Sequence, residues 1–173
     1  VTLSLGFLSC SSNHQQLNLM EATISEIQHA LVTRKTTCHE VVSSYLRRIE
    51  NYDKSSGINA ITVINPRALE KAEEVDRALV SNDPLPELFC TPIVVKDNFD
   101  THDMVTTGGS IALQGSYPPD DAFMVRKLRK AGAIIIAKTN MAEWAFSPRE
   151  TVSSSFGRTA NAYDVNYVPA GSS

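Results

Sequence analysis

Pro92-Ile93-Val94-Val95-Lys96 and Ala133-Ile134-Ile135-Ile136-Ala137 decide how this chain folds. Each is a short apolar run rich in β-branched residues, and such a run without polar alternation predicts a strand covered on both faces. Between them, Asp120 or Asp121 is placed to cap a helix carrying Phe123, Val125 and Leu128, and Gly132 to end it. Strand, helix, strand in that order predicts an α/β fold, its sheet at least partly parallel and flanked by helices. In such sheets functional groups gather beyond the carboxyl ends of the strands. Lys96-Asp97-Asn98 and Lys138-Thr139-Asn140 both stand there.

Toward the N-terminus, Ala60 to Ile64 is bounded by Asn59 and Asn65-Pro66 and reads as a further buried strand. Arg67 to Val80 follows as a helix. Its Ala68, Ala72, Val75 and Leu79 recur at helical spacing, with Glu70, Lys71, Glu73, Glu74, Asp76 and Arg77 mostly on the solvent side. Two capping boxes, Thr23-x-x-Glu26 and Thr37-x-x-Glu40, predict two earlier helices. The first carries Ile24, Ile27 and Leu31; the second carries Val41, Tyr45, Leu46 and Ile49 and stops within Asn51 to Gly57. Residues 17–173 show no internal repeat and no domain boundary, so they read as part of one domain.

Val1 to Cys10 is apolar and uncharged, and the polar run Ser11 to Gln16 follows it. Residues 1–16 therefore read as the remnant of a secretory signal or lipid-anchoring leader with a polar linker, or else as an accidental apolar start. The stretch is too short to span a bilayer, and no other segment approaches that length.

A length of 173 residues, 42% hydrophobic and 20% charged, is that of an ordinary globular domain. With a net charge of −3 and scattered Lys and Arg, the chain has no electrostatic footprint for a phosphate backbone, so nucleic acid is excluded as a direct partner. Three widely spaced cysteines, Cys10, Cys38 and Cys90, give neither a disulfide framework nor a CxxC metal site; Cys38 and Cys90 are expected reduced or simply buried. His14, His29, His39 and His102 stand apart, with no HxxxH or HExxH, so no metal and no cofactor is expected. No GxSxG elbow is present, which argues against a histidine-triad hydrolase.

A lysine after four apolar residues is costly to bury charged. Either Lys96 pairs with Asp97 or Asp100 or emerges into solvent, or it is neutral at working pH and able to serve as a general base.

The stretch Thr91-Pro92-Ile93-Val94-Val95-Lys96-Asp97-Asn98 resembles the lysine motif of the amidase signature family. Thr106-Thr107-Gly108-Gly109-Ser110 is similar to that family's following loop. Asp121-Ala122, Leu128-Arg129-Lys130-Ala131-Gly132-Ala133 and Ala137-Lys138-Thr139-Asn140-Met141-Ala142-Glu143-Trp144 resemble its next helix, strand and loop. Phe156 to Asp164 and Pro169-Ala170-Gly171-Ser172-Ser173 resemble the approach to its Gly-Ser-Ser signature. Several motifs in the family's order are specific where a lone Gly-Ser-Ser would not be. Two positions depart from the pattern: Cys90-Thr91 replaces a glycine and an apolar residue, and Ala170 replaces a glycine.

The resemblance implies an amidase signature fold, a mixed twisted sheet flanked by helices, of which this sequence is the N-terminal part. It implies a neutral lysine that takes a proton from a serine on a cis peptide, which in turn activates an attacking serine; by position these are Lys96 and Ser172. The attacking serine and the oxyanion-hole amides of the family lie beyond Gly-Ser-Ser, so residues 1–173 alone are expected to be inactive. The implied reaction is hydrolysis of a small-molecule amide. Two alternatives stay open: the amidase-type subunit of an aminoacyl-tRNA amidotransferase, and a non-catalytic or split half needing a partner chain.

Overall fold

A computed structural model describes residues 18–81 and 83–172. The proposed leader, residues 1–16, lies outside them.

Both capping boxes form. Thr23 caps α1 (Ile24–Val32) and Thr37 caps α2 (Cys38–Tyr52), each with its side chain bonded to the third helical N–H and a glutamate reaching back. Asp53 follows α2, and its carboxylate accepts from the N–H groups of Ala60 (2.6 Å) and Ile61 (3.2 Å), so the end of the helix fixes the start of β1 (Ile61–Ile64). Next come α3 (Ala68–Ser81), β2 (Thr91–Lys96), α4 (Phe123–Lys130) and β3 (Ala133–Thr139). A two-residue hairpin, β4 (Val152–Ser153) with β5 (Gly157–Arg158), follows.

The main sheet runs β1-β3-β2, with β2 parallel and β1 antiparallel to β3. Among the described residues β3, the central strand, is buried along nearly its whole length, with an apolar cluster on each face. Ile134 and Ile136 face a core built with Ile27, Leu31, Val41, Val42, Ala68 and Ala72, while Ile135 faces Val95, Met104 and Val125. Each such fully buried aliphatic side chain stabilises the fold by roughly 1.5–3 kcal/mol. Two expectations are corrected here: β2, expected covered on both faces, has Val94 44% exposed, and β1, expected buried, has Ile64 41% exposed.

Two further expectations are corrected. Asp120 and Asp121 do not cap α4; Ala122 holds that position without a side-chain bond. Asp121 instead accepts from the His102 N–H (3.0 Å) and lies 3.1 Å from Arg129 Nε, so its carboxylate is drawn toward the 101–104 loop. Phe123 is correspondingly exposed, and Val125 alone in α4 is fully buried. Cys38 and Cys90, far from being free thiols, form a disulfide. The fold sets the first residue of α2 against the turn before β2, at a Cα separation of 5.7 Å that suits a disulfide. A pairing across 52 residues, within an odd set of cysteines, leaves no local signal in the sequence.

Candidate active site

Parallel pairing brings Lys96 level with Thr139, so β2 and β3 deliver their carboxyl ends to one edge of the sheet. The ladder extends one residue further, the Asp97 N–H donating to the Thr139 carbonyl at 3.0 Å. At this edge Lys96 Nζ donates to Ser172 Oγ at 2.6 Å. The two site residues expected from the sequence thus meet. Asp97 turns its carboxylate away, to Thr107 and Lys138.

The Gly171–Ser172 peptide is cis, as the resemblance implied. Gly171 sits where no side chain fits: a Cβ there would lie 2.2 Å from the Ser147 carbonyl oxygen and 2.7 Å from that of Glu150. The segment is gripped by its backbone. Gly171 N–H donates to Pro148 O (3.1 Å), Thr151 Oγ1 donates to Ala170 O (3.0 Å), and Ala142 N–H donates to Ser172 O (2.8 Å). The two departures from the family pattern, Cys90 (φ 54°) and Ala170 (φ 74°), both occupy the left-handed region that favours glycine. That conformation accounts for the glycines usual there.

Behind Lys96 lies a polar cluster that the sequence marks only as a strand end. Lys138 and Asp97 are both fully buried, with Lys138 Nζ 3.6 Å from Asp97 Oδ1. Lys138 also donates to Thr106 Oγ1, and Asp97 accepts from the Thr107 N–H (3.2 Å) and from the Thr107 hydroxyl. Burial holds the Lys138 ammonium below the ordinary lysine range, with the Asp97 charge working in the opposite direction. The signal was the one that marked Lys96: a lysine directly after an apolar run.

Thr107 begins the site wall. The Trp144 N–H donates to Gly108 O (2.9 Å), and Glu143 accepts from Ser110 Oγ (2.7 Å) and from the Ser154 N–H (3.1 Å). Hydrogen bonds from Ser154 and Ser110 hold the Glu143 carboxyl below the usual glutamate value. Ser154 Oγ accepts in turn from the Ile111 N–H (2.9 Å), and the Ser155 N–H donates to Gly109 O (3.4 Å), so the 154–155 turn is tied to the 108–111 loop. On the far side, His102, Asp103 and Asp121 come together. Their carboxylates are engaged by Arg129, 2.7 Å from Asp103 and 3.1 Å from Asp121.

An amine within hydrogen-bond reach of a hydroxyl that lies on a fixed backbone can pass protons to and from that hydroxyl. The family model described as Amidase matches residues 40–173. The chain belongs to the amidase signature family. Among solved amidases it is similar to the native peptide amidase of Stenotrophomonas maltophilia, at 34% identity and a TM-score of 0.82, covering 88% of this chain and 32% of that one. An amidase family protein of Bacillus anthracis matches at 33% identity and a TM-score of 0.81, over 88% of this chain and 32% of that one. Among curated relatives, the A-type polypeptide of the glutamyl-tRNA(Gln) amidotransferase of Methanococcoides burtonii is 42% identical over 87% of this chain and 30% of its own length. Its counterpart in Bdellovibrio bacteriovorus is 37% identical over 91% and 31%. This amidase signature chain therefore spans about a third of the length of the relatives it matches. Among the described residues no helix is long and apolar enough to cross a membrane.

Proposed function

We propose that Lys96 and Ser172 are the base and the relay hydroxyl of an amide-hydrolysing site, whose attacking serine comes from chain outside residues 1–173. The 2.6 Å contact between Lys96 Nζ and Ser172 Oγ carries this reading, and membership of the family supports it. Lys96, as the free amine, takes the Ser172 hydroxyl proton while Ser172 takes one from the attacking serine. That serine's oxygen bonds to the amide carbonyl carbon. The C–N bond then breaks, and the relay returns the proton to the leaving amine. Water repeats the sequence to release the acid. The substrate class is a small or medium carboxamide.

In the full-length protein, Lys96→Ala and Ser172→Ala should each lower kcat/KM for carboxamide hydrolysis by about 10²–10⁴-fold. A folded Lys96→Ala protein with undiminished activity would end the assignment of the base.

A second reading, the amidase-type subunit of an aminoacyl-tRNA amidotransferase, is favoured by the names of the curated relatives. Weighing against it are the apolar start of the sequence and the Cys38–Cys90 disulfide, since disulfides persist mainly in oxidising compartments. The same two features support secretion or lipid anchoring. Recovery of a tRNA-binding partner subunit with the natively expressed protein would favour the amidotransferase, and a secreted monomer would exclude it.

A further inference from the structure

A fully buried lysine facing a fully buried aspartate is expensive to maintain, because two charges leave water for a 3.6 Å contact and a few hydrogen bonds from Thr107 and to Thr106. Nothing in the proposed proton relay uses either group. Their connections, however, reach both partners of the Lys96–Ser172 contact. Asp97 is bonded through the chain to Lys96, and its carbonyl accepts from the Gly108 N–H at 3.0 Å. Gly108 holds Trp144 by the 2.9 Å bond from the Trp144 N–H, and two residues earlier Ala142 N–H holds the Ser172 carbonyl at 2.8 Å. Ser172 closes the circuit on Lys96. The Asp97 carboxylate pins the circuit at Thr107, and Lys138 pins both Asp97 and the neighbouring Thr106.

We infer that the buried Lys138–Asp97 pair is a positioning device, setting the approach of Lys96 to Ser172 and the electrostatic setting in which that amine exchanges its proton. The inference rests on Lys96 being the base. The charged groups acting on Lys138 are Asp97 and, at longer range, Asp100 and Asp103, the last already held by Arg129. Glu143, on the wall, is engaged by Ser110 and Ser154. Asp97 thus follows Lys96 directly in the chain, and Lys138 is the cation that faces its carboxylate.

The test uses the full-length protein and the rate at which a small alkyl fluorophosphonate labels its attacking serine, measured against pH. This readout needs no knowledge of the natural substrate. Lys138→Met leaves the Asp97 charge uncompensated one residue along the chain from Lys96 and favours the ammonium, so the acid limb of the rate should move to higher pH. Asp97→Asn removes that charge, and the limb should move to lower pH. Loosened alignment should also lower the plateau, on the order of 10²-fold for a displacement near 1 Å. Opposite displacements support positioning of the base. A merely structural role would lower thermal stability with both limbs unmoved, and that result overturns the inference. Should Lys138→Met not fold, Asp97→Asn decides alone, because it keeps an oxygen for Thr107; an unmoved limb there is equally fatal. Lys96→Ala separates the two levels. If it labels at the wild-type rate, the assignment of the base fails; if it is silent while both other variants behave as wild type, only the positioning inference fails.

Discussion

The α-helical side of β3 and the carboxyl end of the strand are held by different physics. Toward α1, α2 and α3 the contacts are aliphatic, Ile134 and Ile136 on Ile27, Leu31, Val41 and Val42. Toward the site edge they become directional: Lys138 to Thr106, Asp97 to Thr107, Asn140 to Gly157 and Thr159. Apolar burial is graded and tolerates small displacements. A hydrogen bond weakens steeply with angle and fixes where an atom lies. A protein that must hold an amine 2.6 Å from a hydroxyl gains from placing its directional bonds beside that pair and its graded ones behind the sheet.

The sharpest way to break this comparison is Ile134→Ala. It should lower stability by about 2–5 kcal/mol in denaturant unfolding, while the fluorophosphonate labelling rate of the folded full-length protein stays unchanged. A labelling rate that falls in step with stability would mean that the core and the site end of the strand are not separable. Cys38→Ser comes next, expected to cost roughly 2–4 kcal/mol by releasing a tether between α2 and β2. It too should leave labelling of the folded protein intact. Glu143→Gln is the smallest and lies in the site region. The Glu143 carboxyl is held below its ordinary value, so its contribution is present above the unfolded value near 4.5 and fades as pH falls through the folded one. Thermal scans between pH 6 and pH 3 should show a shallower acid loss in the variant, and identical slopes would remove Glu143 from the wall's support.

Where sequence was informative, the physics was local. The two capping boxes lie within four residues each, and the strand signals at 91–96 and 133–139 are runs of adjacent side chains. The α4 cap was misplaced because Asp121 answers to Arg129 and His102, groups brought to it by the fold. The Cys38–Cys90 bond and the Lys138–Asp97 pair join residues far apart in sequence, and no periodicity marks such partners. The meeting of Lys96 and Ser172 was foreseen through resemblance alone. What composition supplied was the reason to ask about Lys96: a cation after an apolar strand needs a partner.

The Cys38–Cys90 bond also makes the chain a closed ring that contains α2, β1 and α3. A protease that nicks any single peptide bond between these two cysteines opens the ring without detaching a piece. The nicked protein would keep its size on a denaturing gel until a reductant is added, and only then part into two bands.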